Sequence, residues 1–265
     1  MVSAVELREL AVDIAREAGE LARRRRDEGV SIAASKSTLA DIVTEADREV
    51  ESLIRARLAA ERPGDGFLGE ESGAGEGTTG ITWVVDPIDG TVNYASGIPL
   101  WAVSIAAVEG GSDPDAWTAL AGVVRSPVVG ETFSAARGEG AHMNGARLRV
   151  AEPGPAGALL ATGFGYDPST HAGDLAVVGR VMPIARDLRR GGSAATDLAY
   201  VAAGRLDGYF ERGLSPWDYA AGALLVQEAG GVFRRPEGRD VARRLNLAGG
   251  AGVVEQLRRR ILETA

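Results

Sequence analysis

From Val5 to Asp27 the residues Leu7, Leu10, Ala11, Ile14, Ala18 and Leu21 recur three and four positions apart, the stripe of a helix with one buried face. The run Arg23 to Arg26 falls at the end of this stripe. Arginines there complement the helix dipole; a phosphate-rich partner is the sharper alternative. A second helix is predicted from the capping-box pattern Thr44 to Asp47, with Val50, Leu53, Ile54 and Leu58 on one face. Pro63 and Gly64 close it.

Runs of β type follow at Thr82 to Val85, Trp101 to Val108, Ala116 to Val124 and Glu131 to Ala135. They are separated by turn residues and predict helices on a largely antiparallel sheet. Beyond Gly145 the pattern alternates: strand at Ala158 to Thr162, helices at Ala172 to Ile184 and Ser193 to Ala203, strand at Leu206 to Phe210, helix at Pro216 to Ala229 and strand at Gly231 to Phe233. The chain therefore divides into an α+β half, residues 1–145, and an α/β half, residues 146–265. No repeat or low-complexity linker separates them, so the halves are expected to share an interface.

Composition narrows the class. With 265 residues, 45% hydrophobic and 25% charged, this is an ordinary folded domain, or two packed together. The absence of cysteine excludes disulfides, thiolate metal sites and a cysteine nucleophile. Glu6, Glu9, Asp13 and Glu17 occupy the stretch where a signal peptide would be apolar, and no run approaches the roughly 20 apolar residues of a membrane span. A cytoplasmic location is the expectation. A net charge of −8 argues against nucleic acid as the default ligand, and only His142 and His171 are present. Any catalytic machinery is then expected to use carboxylates, with divalent cations as natural companions.

Chemistry concentrates in Trp83-Val-Val-Asp86-Pro-Ile-Asp89-Gly90-Thr91-Val-Asn93. An apolar strand ends at a carboxylate, Pro87 is expected to stop regular pairing, and a second carboxylate follows three residues on. Acids held that close repel unless a proton or cation lies between them. Gly90 and Thr91 then turn toward a helix whose first N–H groups suit an anion. An Asp-rich turn with a threonine N-cap is the plainer alternative. Two further acid sites are Gly69-Glu70-Glu71-Ser72, which also reads as a solvated loop, and Ser215-Pro216-Trp217-Asp218, which also reads as a capping box.

The segments Asp41 to Asp47, Gly69 to Ser72, Trp83 to Asn93 and Trp217-Asp-Tyr-Ala-Ala-Gly222 resemble, in order and spacing, the signatures of the inositol monophosphatase family. Arg189 to Ala194, Gly204 to Glu211 and Glu228 to Gly231 extend the resemblance over nearly the whole chain. It implies a layered αβαβα sandwich, lithium-sensitive phosphomonoesterase activity with two to three Mg2+ per active site, and a homodimer; charge and hydropathy add the expectation of no nucleic-acid or membrane partner. Glu70, Asp86 and the Ile88 carbonyl would hold one ion; Asp86, Asp89 and Asp218 would hold a second; Glu70 would help hold a third through water. Two such ions clamp the attacking and leaving oxygens of an in-line displacement and lower the pKa of the attacking water. Thr91 and Asp47 would position and deprotonate that water, completing a catalytic set with Glu70.

On the same resemblance, the amides of Gly90 and Thr91 bind the phosphate. Asp89, Gly192, Ser193, Ala194, Glu211 and Asp218 form the substrate pocket. Most metal ligands and the phosphate site thus fall in residues 1–145, and the pocket with Asp218 falls in 146–265. The loop Gly90-Thr91-Val92-Asn93-Tyr94 resembles the inositol monophosphatase branch and implies inositol 1-phosphate as substrate. Histidinol phosphate is the alternative, then other sugar or nucleotide phosphates. Glu211, read alone, is an exposed acid at a strand end. A transcription-associated role, as in some bacterial relatives, is a hypothesis of a different class.

Overall fold

A computed structural model describes residues 2–29, 32–35, 42–236 and 243–262. Helix α1 spans Ala4–Glu28, opened by Ser3 with a Glu6 capping box and closed by Gly29 in a positive-φ conformation. The short strands β1 (Ile32–Ser35) and β2 (Ile42–Thr44) pair antiparallel, and α2 runs Glu45–Glu61. Asp41 and the Thr44 side chain lie outside the described residues, which leaves the Thr44 cap unaddressed. The arginine run serves local needs, as Arg25 pairs with both Glu49 of α2 and Glu28.

The next elements are β3 (Gly66–Gly69), β4 (Gly73–Gly75), β5 (Ile81–Asp89), α3 (Thr91–Ser96), β6 (Ala102–Glu109), β7 (Thr118–Ser126), β8 (Glu131–Ala136), β9 (Gly140–Met143) and β10 (Ala146–Arg147). They form an eight-stranded sheet in the order β10-β9-β8-β7-β6-β5-β3-β4. Pairing is antiparallel except between β3 and β5, which run parallel. The second sheet follows from β11 (Ala158–Thr162), α4 (Pro168–Val181), a short 3-10 turn at Met182–Ile184, β12 (Ala185–Arg189), α5 (Ala194–Ala202), β13 (Gly208–Arg212), α6 (Pro216–Glu228), β14 (Val232–Arg234), β15 (Leu245–Gly249) and α7 (Ala251–Leu262). Its order is β12-β11-β13-β15-β14, with β11 parallel to both neighbours, as helical crossovers require.

Stacking gives five layers. Helices α1 and α2 cover one face of the large sheet, α5 and α6 fill the space between the sheets, and α4 and α7 cover the outer face of the small sheet. Both faces of β5 and β6 are therefore buried, which is why these strands read as continuous apolar runs. Along β5, Trp83 and Val85 pack with Leu7, Ile14 and Ile54 of the outer helices. Val84 points the other way, toward Leu198, Tyr219 and Leu225 of the middle layer. One core joins both sheets. No described helix is long and apolar enough to cross a membrane.

Strand β5 departs from expectation at Pro87. Pairing with β6 shifts register between Asp86 and Asp89 but resumes at Asp89 opposite Ala102. Pro87 thus makes a bulge and does not end the strand. The strand parity that sends Val84 inward also sends Asp86 toward α6, and the bulge re-aims Asp89 toward α5.

Candidate active site

The carboxylates meet where β5, α5 and α6 converge. One oxygen from each of Asp86, Asp89 and Asp218 fits within a cluster no wider than 4.8 Å. Asp89 and Asp218 are each anchored through one carboxylate oxygen. Asp89 Oδ2 accepts hydrogen bonds from Ser193 Oγ at 2.5 Å and from the Ala195 amide at 2.8 Å, so it sits on the N-terminus of α5. Asp218 Oδ2 accepts from the Ser215 amide at 2.7 Å, as the capping reading expects, while the residue still lines the cleft. Ser104, opposite Asp86 in the sheet, donates to the Trp217 carbonyl at 3.2 Å and ties the start of α6 to β6.

Asp86 Oδ1 is buried and has no hydrogen-bond partner among the described residues. An ionised carboxylate oxygen in that state is costly unless a cation completes it. Hard oxygen donors suit Mg2+ or a similar divalent ion. Burial, then the charges of Glu70, Asp89, Asp218 and Asp47, pushes Asp86 well above the usual carboxylate range. Burial, then Asp89 and Glu70, does the same to Asp218. Asp89 is pushed up to about 6 by burial, against the opposing hydrogen bonds of Ser193 and Ala195.

A stability test follows from these shifts. The folded chain binds more protons here than the unfolded chain does, so this cluster weakens the fold as pH rises from 3.8 through about 6. A bound divalent ion relieves that penalty and competes with the protons. The melting temperature of protein with Mg2+ minus that of chelated protein is expected to widen from about pH 5 to about pH 7.5. A gap that is absent or independent of pH contradicts the cation reading.

The cluster floors a cleft of ≈ 370 Å³. Glu70, Asp86, Ile88, Asp89, Gly90, Gly192, Ser193, Ala194, Glu211 and Asp218, all named from the sequence, line it together. Glu70 is half-buried in the β3–β4 turn, not in a solvated loop. Glu211 points into the cleft from the end of β13 and is half-buried, which replaces the exposed strand-end reading. Asp47 and Thr91 are absent from the wall and stand behind it: Thr91 Oγ1 lies 3.3 Å from Asp47 Oδ1 and 3.1 Å from the Ile88 carbonyl.

Gly90, not a threonine, is the N-cap of α3. Its φ of +94° suits glycine, and an added Cβ would lie 3.0 Å from the Gly192 carbonyl and 3.1 Å from that of Leu100. Asn93 fastens the same junction, donating to the Leu100 and Gly191 carbonyls at 2.6 and 2.8 Å. Tyr94 anchors α3 below, its hydroxyl donating to the Ala22 carbonyl at 2.8 Å.

Sequence reading gave no role to Phe164, Tyr166, Arg190, Asp197 or Arg212, which also line the cleft. It also missed Glu51, which is buried and accepts the Glu71 amide at 2.8 Å, holding the turn that carries Glu70. Two of these had a signal. Glu51 is one helical turn from Asp47 on the apolar face of Val50 and Ile54, and Asp197 interrupts the apolar face of α5.

The model of the inositol monophosphatase family matches residues 3–264. The inositol-1-monophosphatase SuhB of Mycobacterium tuberculosis is 43% identical over 94% of this chain and 87% of that protein. The Nus factor SuhB of Escherichia coli K12 is also 43% identical, over 84% of this chain and 82% of that protein. Among solved structures, extragenic suppressor protein suhB from Bartonella henselae matches with a TM-score of 0.87 at 38% identity, covering 97% of this chain and 98% of that one.

Proposed function

The chain belongs to the inositol monophosphatase family, and from that premise we propose that it is a Mg2+-dependent phosphomonoesterase that hydrolyses inositol 1-phosphate to inositol and phosphate. The observation that carries the metal dependence is the Asp86, Asp89 and Asp218 cluster, in which the buried Asp86 Oδ1 has no partner among the described residues. Glu70, Asp86 and the Ile88 carbonyl would hold one ion; Asp86, Asp89 and Asp218 would hold another; Glu70 would share in a third. When bound, divalent ions neutralise phosphate charge and lower the pKa of a neighbouring water.

The remaining work belongs to the protein. The amides of Gly90 and Thr91 orient the phosphate oxygens at the start of α3. Thr91 Oγ1 accepts a proton from the attacking water while donating its own to Asp47, which is 1% exposed and lies within reach at 3.3 Å. Water adds to phosphorus, the ester P–O bond breaks, and the leaving alkoxide takes up a proton from solvent in the open cleft. Asp89, Glu211 and the backbone of Gly192, Ser193 and Ala194 face the ring hydroxyls of the alcohol.

Histidinol phosphate is the second reading, favoured by the neighbouring acids Glu211 and Asp197 in the cleft, which suit an amine. The deciding experiment is Mg2+-dependent phosphate release from inositol 1-phosphate, histidinol phosphate, fructose 1,6-bisphosphate and 3′-phosphoadenosine 5′-phosphate. The highest kcat/KM is expected for inositol 1-phosphate. Removing a hydrogen-bonded charged partner costs about 1.5 to 3 kcal/mol, so Glu211→Ala should lower that value by about tenfold or more. Preference for histidinol phosphate would replace the substrate and leave the metal chemistry standing.

The Escherichia coli relative carries the name Nus factor, so a second, transcription-associated role is testable beside catalysis. Capture of transcription proteins by an inactive metal-site variant would support it. Self-association into a homodimer is part of the same proposal, and sedimentation of the purified chain tests it.

A further inference from the structure

We infer that Tyr209 is a positioning residue that locks the Glu211 carboxylate for contact with the substrate alcohol, a role that rests on the functional reading above. The two residues are two apart on β13 and so project from the same face of the small sheet. Tyr209 is fully buried in the layer between the sheets, packed with Leu198 and Leu225 of α5 and α6. Its hydroxyl donates to Glu211 Oε2. That bond occupies one oxygen of a carboxylate that lines the cleft.

The neighbouring strand packs against the same carboxylate. Thr162 at the end of β11 pairs with Phe210, and the Thr162 hydroxyl donates to the Phe210 carbonyl at 2.7 Å. The next residue, Gly163, lies flat against Glu211. A Cβ there would collide with the Glu211 carboxylate, meeting Oε2 first and then Cδ and Oε1, closer than side chains ever approach. Glycine at 163 is thus the space into which the carboxylate fits, and the Tyr209 hydroxyl is the latch that keeps it there. The main chain of Glu211 is fixed as well, its carbonyl accepting from Asn246 Nδ2 of β15 at 3.3 Å.

The lock also affects the charge of Glu211. Burial pushes its carboxyl up to about 7, and the Tyr209 hydrogen bond and Arg190 oppose that rise. Asp89 at the end of β5, Asp174 of α4, Asp197 of α5 and Asp218 of α6 all face it with like charge. Removing the hydroxyl therefore takes away a hydrogen bond to the ionised form, and more of the carboxyl is protonated near neutrality. A protonated or swung Glu211 accepts hydrogen bonds from ring hydroxyls poorly.

The test compares inositol 1-phosphate with 4-nitrophenyl phosphate, an ester with no ring hydroxyls, in wild type, Tyr209→Phe and Gly163→Ala. Tyr200→Phe, which removes a hydroxyl from α5 outside the cleft, is the comparison variant. Tyr209→Phe is expected to lower the ratio of kcat/KM for the inositol ester over the aryl ester about tenfold, chiefly through KM. The pH at which KM for the inositol ester improves should move upward, because Glu211 ionises later. Gly163→Ala should lower the same ratio by displacing the carboxylate, and Tyr200→Phe should leave it at the wild-type value. If wild type prefers the inositol ester and Tyr209→Phe keeps both the ratio and the pH profile, the positioning role is wrong and the substrate stands. Equal losses on both esters, with the pH profile unmoved, also overturn it. A wild type with no preference for the inositol ester overturns both readings.

Discussion

Asp86→Asn is expected to lower turnover by more than about a hundredfold, beyond the loss typical of residues that only support metal ligands. Asparagine keeps the shape of the side chain and removes the charge that would serve both cation sites. The same change relieves the repulsion among Glu70, Asp89, Asp218 and Asp47 that Asp86 feels in its buried position. The chelated variant should therefore melt at or above the chelated wild type, while losing most of the stabilisation that Mg2+ gives. Phosphate release and thermal melts on one preparation separate lost chemistry from lost fold. An active variant, or one that is inactive because it unfolds, contradicts the assignment of Asp86.

Thr91→Ala is the second large effect. The hydroxyl lies between the Ile88 carbonyl and Asp47 and has one proton, so it can donate to only one of them at a time. Donation to Asp47 would leave its lone pairs free to accept a proton. Alanine removes that route and leaves the backbone amides in place. General-base contributions are about 10² to 10⁴-fold, so kcat should fall in that range while KM changes little. A kcat within about twofold of wild type would remove Thr91 and Asp47 from the proton path.

Much of this site was legible because the acids interrupt apolar patterns. Asp86 follows Trp83-Val-Val in a strand buried on both faces, and an acid there needs a reason. Asp218 reads both as a helix cap and as a ligand; its Oδ2 accepts the capping bond, and one of its oxygens lies in the carboxylate cluster. Pro87 misled because proline removes only one ladder donor; the chain absorbs it as a bulge and re-pairs at Asp89. The edge strand β12 was missed since Arg186 and Asp187 are exposed and break the apolar signal. The fit of Gly163 against Glu211 depends on the pairing of β11 with β13, a contact between residues 48 apart that no local pattern encodes.

The central claim is that a carboxylate cluster works through divalent cations on a phosphate monoester. The most direct measurement is phosphate release from inositol 1-phosphate by protein stripped with a chelator, then titrated with Mg2+. No release is expected before Mg2+ is added, with activity rising as the ion is restored. Hydrolysis by the stripped protein at the Mg2+-saturated rate would contradict the account.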